Sequence, residues 1–89
     1  MVLHIGGDVI IPTKDIIAIL DLESTTEHDT RDFLRVAEEE GFIINIAPKD
    51  LPKSFIITET KDKKSKIYLS PISSATLEKR TGYIEHIHI

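Results

Sequence analysis

The sequence predicts an α+β fold: a mostly antiparallel sheet of about six strands, one longer helix after the third strand and one short helix after the sixth. Three observations predict it. Apolar residues rich in Ile, Val and Phe recur in strand-length runs bounded by Gly, Pro, Asp and Asn. Only the segment 27–40 carries helical spacing over several turns, and it is introduced by Ser24-Thr25-Thr26. A Ser-Pro-x-Ser-Ser corner at residues 70–74 then opens a second, shorter helix.

Along the chain, Val2 and His4 alternate with Leu3 and Ile5, Gly6-Gly7-Asp8 interrupts, and Val9-Ile10-Ile11 resumes. Two short apolar runs around Gly-Gly form a β-hairpin, with glycine supplying positive φ. Pro12-Thr13-Lys14-Asp15 is a second turn. It leads into Ile16–Leu22, where Ile16, Ala18, Leu20 and Leu22 lie on one face and Ile17, Ile19 and Asp21 on the other. Both faces are apolar over most of the run, which predicts a strand covered on both sides, with a second subunit as one source of cover.

Asp29 completes a capping box with Ser24–Thr26, and the helix runs from about Glu27 to Glu40. Phe33, Leu34, Val36 and Ala37 are its apolar stripe, and Gly41 closes it. Glu38-Glu39-Glu40 opposes the helix dipole, so the last turn is expected to be weak. Phe42–Ile46 is a strand, and residues 54–58 and 66–69 pair as a hairpin around 61–65. Ser73 or Ser74 caps a short helix, Ala75 to Arg80, ended by Gly82. The tail Tyr83–Ile89 alternates and could add an edge strand or stay loose.

Eighty-nine residues make one domain, 1–89. A chain this short buries roughly 60–65% of its unfolded surface and commonly needs a staple. Cysteine is absent, which excludes disulfides, Cys-based zinc sites and thiol nucleophiles and fits a reducing cytoplasm. No run approaches the length of a membrane helix, and the N-terminus lacks the basic start of a signal peptide, so a cytoplasmic location with no membrane partner is expected.

No catalytic constellation emerges, and the chain is not expected to be an enzyme or to take a cofactor or small-molecule substrate. The acids concentrate in the helix, where Glu38–Glu40 is most simply a solvated face, and Asp8, Asp15 and Asp21 lie beside turns or strand ends. His86 and His88 share one face of the alternating tail, a spacing that can chelate Zn²⁺ or Cu²⁺. The plainer account is two tail histidines between isoleucines, so no metal is expected.

Charge gives a sharper signal. The chain is −4 overall, yet residues 48–66 carry six lysines against three acids. Lys49, Lys53, Lys61, Lys63, Lys64 and Lys66, with Lys79 and Arg80, could contact phosphates. Aromatic interleaving is sparse, with Phe55 and Tyr68 read as core or half-buried strand residues. By composition alone, Lys61–Lys66 reads as a solvated hairpin tip.

Three blocks go further. They are His4-Ile-Gly-Gly-Asp8 through Ile19, Pro52-Lys53-Ser54-Phe-Ile-Ile-Thr58, and Ile67-Tyr68-Leu69-Ser70-Pro71-Ile72-Ser73-Ser74-Ala75-Thr76-Leu77-Glu78-Lys79-Arg80. In this order they resemble the RemA/RemB family of extracellular-matrix regulators, RemB-type members in particular. The resemblance implies a small α+β protein that forms ring-like homo-oligomers and regulates transcription of biofilm-matrix genes by binding DNA. RemA-type relatives carry an arginine-rich loop before the strand equivalent to 54–58, to which DNA contact is ascribed. Here that loop reads Pro48-Lys49-Asp50-Leu51-Pro52-Lys53, and lysine is a poorer bidentate donor than arginine.

Two readings follow. In the first, a homo-oligomer contacts duplex DNA through Lys49, Lys53, Lys61, Lys63 and Lys64, with the strand 16–22 supporting assembly. In the second, an oligomeric scaffold that does not bind DNA presents Glu27, Asp29, Asp32, Glu38 and Glu39 to a basic partner. Lysines scattered over opposite faces would favour the second.

Overall fold

The computed structural model of the chain describes residues 1–22 and 28–81. Its elements are β1 (Val2–Gly6), β2 (Val9–Pro12), a 3-10 turn (Thr13–Asp15), β3 (Ile16–Asp21), α1 (His28–Glu39), β4 (Ile43–Asn45), β5 (Ser54–Glu59), β6 (Ser65–Ser70) and α2 (Ser74–Thr81). The expected α+β class is what forms, but the six strands divide into two sheets. β1 and β2 make a hairpin of their own, and the other four order β3-β5-β6-β4. Every pairing is antiparallel except β4 with β6. That parallel pair follows from α1, which carries the chain from the end of β3 back to the start of β4.

The four-stranded sheet is covered on both faces. On one, Ala37, Phe55 and Ile67 form a buried cluster joined by Leu22, Leu34, Ile43, Ile57 and Leu69. On the other, Leu3, Ile5, Ile11, Ile56 and Leu77 form a second, joined by Ile16, Ile19, Ile46, Tyr68 and Ile72. The run Phe55-Ile56-Ile57 is continuous rather than alternating because its period of two sends Phe55 and Ile57 to α1 and Ile56 to the hairpin and α2.

β3 departs from expectation in two ways. Among the described residues it is an edge strand, and they do not cover it on both sides: Ile17 is 60% exposed and Leu20 39%. Its register also shifts between Ile16 and Ala18. The bulge spends one residue, Ile17, and thereby turns both Ile16 and Ile19 toward the hairpin cluster, where strict alternation would have opposed them.

In α1, Leu34 and Ala37 form the inward stripe, whereas Phe33 and Val36 are each nearly half exposed. The C-terminus is a Schellman closure: Gly41 has φ of 80°, its N–H donates to Glu38, and the Phe42 N–H donates to Ala37. Arg35 lies 3.2 Å from Glu39 and 3.7 Å from Asp32, partly neutralising the acidic surface. The expected cap at Ser24–Thr26, Glu27 and the tail with Gly82, His86 and His88 lie outside the described residues.

The Ser-Pro-x-Ser-Ser corner joins the layers. Ser70 is fully buried at the end of β6; its Oγ donates to the Ile5 carbonyl at 2.6 Å and accepts from the Ile72 N–H at 3.0 Å. Ser54 Oγ donates to the Ile72 carbonyl at 2.7 Å. Pro71 packs against Gly6, whose φ of 124° suits glycine and where an added Cβ would come within 3.2 Å of the proline ring. Ser73, rather than Ser74, is the cap of α2, accepting from the Thr76 N–H at 3.2 Å. Ser70→Ala leaves the Ile5 carbonyl buried without its donor and is expected to cost about 1–3 kcal/mol in urea unfolding. A cost indistinguishable from zero would show that the corner is not a structural joint.

Candidate nucleic-acid interface

Because β5 and β6 pair in register from Ser54↔Ser70 to Glu59↔Ser65, the sheet has two distinct ends. At the corner end lie Gly6, the loop 46–53 and the start of α2. At the turn end lie the 3-10 turn and the β5–β6 connection. The lysines anticipated from the sequence divide between them. Lys49 and Lys53 fall at the corner end, and Lys61, Lys63 and Lys64 at the turn end, separated by about 20 Å of strand at roughly 3.3 Å per residue. All five are exposed. One copy of the chain therefore presents two lysine groups, not one patch.

At the corner end, Lys53 is fixed through its backbone: its N–H donates to Ser70 and its carbonyl accepts from Leu22. Asp50 sits in the same loop and Asp21 pairs in register with Ser54, so the local charge is balanced.

The turn end is different. An open cleft of about 610 Å³ is lined by Lys14, Asp15, Ile17, Glu59, Thr60, Lys61 and Lys63. An adjoining groove of about 170 Å³ shares Asp15 and Thr60 and adds Ile10, Ile11, Pro12, Thr58, Lys64, Lys66 and Tyr68. Five of the chain's eight lysines thus meet here, against Asp15, Glu59 and Asp62, a local charge of +2 on a chain of −4. The connection itself is ordered by Thr60. Its N–H donates to Lys64 at 3.0 Å, its carbonyl accepts from the Lys63 N–H at 2.8 Å, and its Oγ accepts from the Lys64 N–H at 3.2 Å. Lys63 takes a left-handed φ of 62° to close it. Lys14 was missed by sequence reasoning because it is almost 50 residues from the other turn-end lysines, and only the β3–β5 pairing brings it alongside.

Other candidate residues have structural duties. His4 donates its ring N–H to the Gly7 carbonyl at 2.7 Å across the hairpin turn. Arg80 donates to the His4 carbonyl at 3.1 Å, tying α2 to β1. Among the described residues no three His, Asp or Glu side chains group so as to hold a metal ion. No described helix is long and apolar enough to cross a membrane. Asp32, Glu38 and Glu39 lie on α1, on the sheet face opposite the hairpin, and Asp29 belongs to the first turn of the same helix.

The described residues form a small α+β domain with a lysine-lined sheet end, the character of a binding protein. The chain belongs to the RemA-like family: residues 2–81 match the family described as extracellular matrix regulatory protein A-like. It is similar, at 30% identity over 87 residues and 98% of both chains, to extracellular matrix regulatory protein B of Bacillus subtilis (strain 168). Both names are those of regulatory proteins.

Proposed function

We propose that the protein is a regulator of extracellular-matrix (biofilm) gene transcription that acts in the cytoplasm as a homo-oligomer on duplex DNA, with Lys49, Lys53, Lys61, Lys63 and Lys64 as candidate phosphate contacts. The observation that carries the reading is the apolar surface of β3 beside the basic cleft. Ile17, 60% exposed, lines that cleft directly, and Leu20 further along the strand is 39% exposed. The bulge at Ile17 interrupts the edge ladder, so the surface on offer is side chains rather than a template for strand addition. A second copy covering Ile17 places the lysines of neighbouring subunits next to each other. A few phosphate contacts from one subunit give only weak, salt-sensitive binding, and repetition converts them into useful avidity.

The test is an electrophoretic shift with duplex DNA on protein whose mass has first been fixed by light scattering. A retained complex at about 50 mM salt that is lost by about 200 mM is the expected result. No complex at the lower salt, from a verified oligomer, overturns DNA binding. The division of lysines between two sheet ends favours one other reading, a non-DNA-binding oligomeric scaffold that uses Asp32, Glu38 and Glu39 on α1. An oligomer without a DNA complex is its signature.

A further inference from the structure

We infer that the DNA-contact surface of this chain is the turn end of the sheet, with Lys14, Lys61 and Lys63 around the cleft as its centre and Lys64 and Lys66 as its flank; this rests on the DNA-binding reading above. Three observations converge. Positive charge accumulates there and not at the corner end, where Lys49 and Lys53 are matched by Asp21 and Asp50. Among the described residues none of the five turn-end lysines forms an ion pair, so their charge remains available to a polyanion. The acidic end of α1 belongs to the other face of the sheet and does not fill the cleft.

Geometry adds to charge. Lys14 stands on the 3-10 turn and Lys61 and Lys63 on a connection closed by three hydrogen bonds to Thr60, so the ammonium groups project from fixed backbone rather than from a loose tip. Less ordering entropy is lost when such a surface binds. The lining offers lysine point charges rather than arginine forks. The contact is therefore with phosphates and is weakly sensitive to base sequence.

The experiment measures fluorescence anisotropy of a labelled 30-base-pair duplex of arbitrary sequence across a salt series. It compares the wild type, K14Q/K61Q/K63N and K49Q/K53Q, each at a mass confirmed by light scattering. Asparagine is chosen at position 63 because it tolerates the left-handed backbone there. The triple variant is expected to lose at least about tenfold in affinity and to flatten the salt slope by roughly three units per engaged subunit, while the double variant changes less than about threefold. Should the triple variant assemble to a smaller mass, K64Q/K66Q reads the same surface from the adjoining groove, which Ile17 does not line, and is expected to lose at least about threefold. A larger loss in K49Q/K53Q than in the turn-end variants, or unchanged affinity in the latter, overturns the location while leaving DNA binding intact. A wild type that binds no duplex at low salt overturns both.

Discussion

Replacing Ile17 with aspartate is expected to leave the single chain folded and to weaken its self-association by at least about a hundredfold. Ile17 is the extra residue of the β3 bulge, 60% exposed, and absent from both buried clusters, so the isolated fold loses little when it changes. Substitutions at such positions typically alter stability by less than about 0.5 kcal/mol. In the proposed assembly the same side chain is covered, and burying an isoleucine contributes about 1.5–3 kcal/mol. A carboxylate in its place loses that term and adds the cost of desolvating a charge. Each 1.4 kcal/mol is a factor of about ten, so the combined effect exceeds two orders of magnitude. Concentration-dependent light scattering on I17D, with circular dichroism to confirm folding, reads this directly. An I17D protein of unchanged mass at micromolar concentration would place the assembly contact elsewhere.

The second large effect belongs to Phe55. It is 1% exposed, sits on the central strand β5, and packs with Ala37 and Ile67 under α1. Phe55→Ala removes most of the side chain joining the helix to the sheet, and such truncations cost about 3–5 kcal/mol. A domain of this length has a total stability of only about 4–13 kcal/mol. The variant is therefore expected to lose about a quarter or more of its stability, seen as a lower urea midpoint at fixed protein concentration, the concentration being held because the proposed assembly would add to apparent stability. A cost below about 1 kcal/mol would mean that α1 is not anchored through this cluster.

The local chemistry of the chain was legible before its architecture was. Glycines 6 and 7 marked the first hairpin, Gly41 marked the end of α1, and Ser73 was one of two serines named as the cap of α2, because each answers to backbone geometry within a few residues. The strands were legible for a related reason: runs such as Phe55-Ile56-Ile57 have few other homes. What the pattern could not show was how strands partition. Residues 2–12 alternate as any sheet strand would, and nothing local says that, among the described residues, β1 and β2 pair only with each other. The bulge at Ile17 was hidden because Ile16, Ile17 and Ile19 are chemically interchangeable, so a slip of one residue leaves no mark on the hydrophobic pattern.

The candidate site divides along the same line. A basic bias in residues 48–66 was visible in the chain, but linear bias does not report which end of a strand each lysine occupies. β5 runs between Lys53 and Lys61 and carries them apart, whereas the β3–β5 pairing carries Lys14 in. Phe33 and Val36 were counted with Leu34 and Ala37 as one stripe, yet only the latter pair meets the sheet, since the stripe is wider than the contact. The Ser70–Ile5 bond joins positions 65 residues apart and had no sequence signal beyond the unusual Ser-Pro corner itself.

The account depends on copies of this chain covering β3 and aligning their lysines, and the mass of the purified protein in solution tests that most directly. Light scattering on tag-free material is predicted to give a multiple of the 10.0 kDa chain that persists into the low micromolar range. A mass of one chain across that range would contradict it.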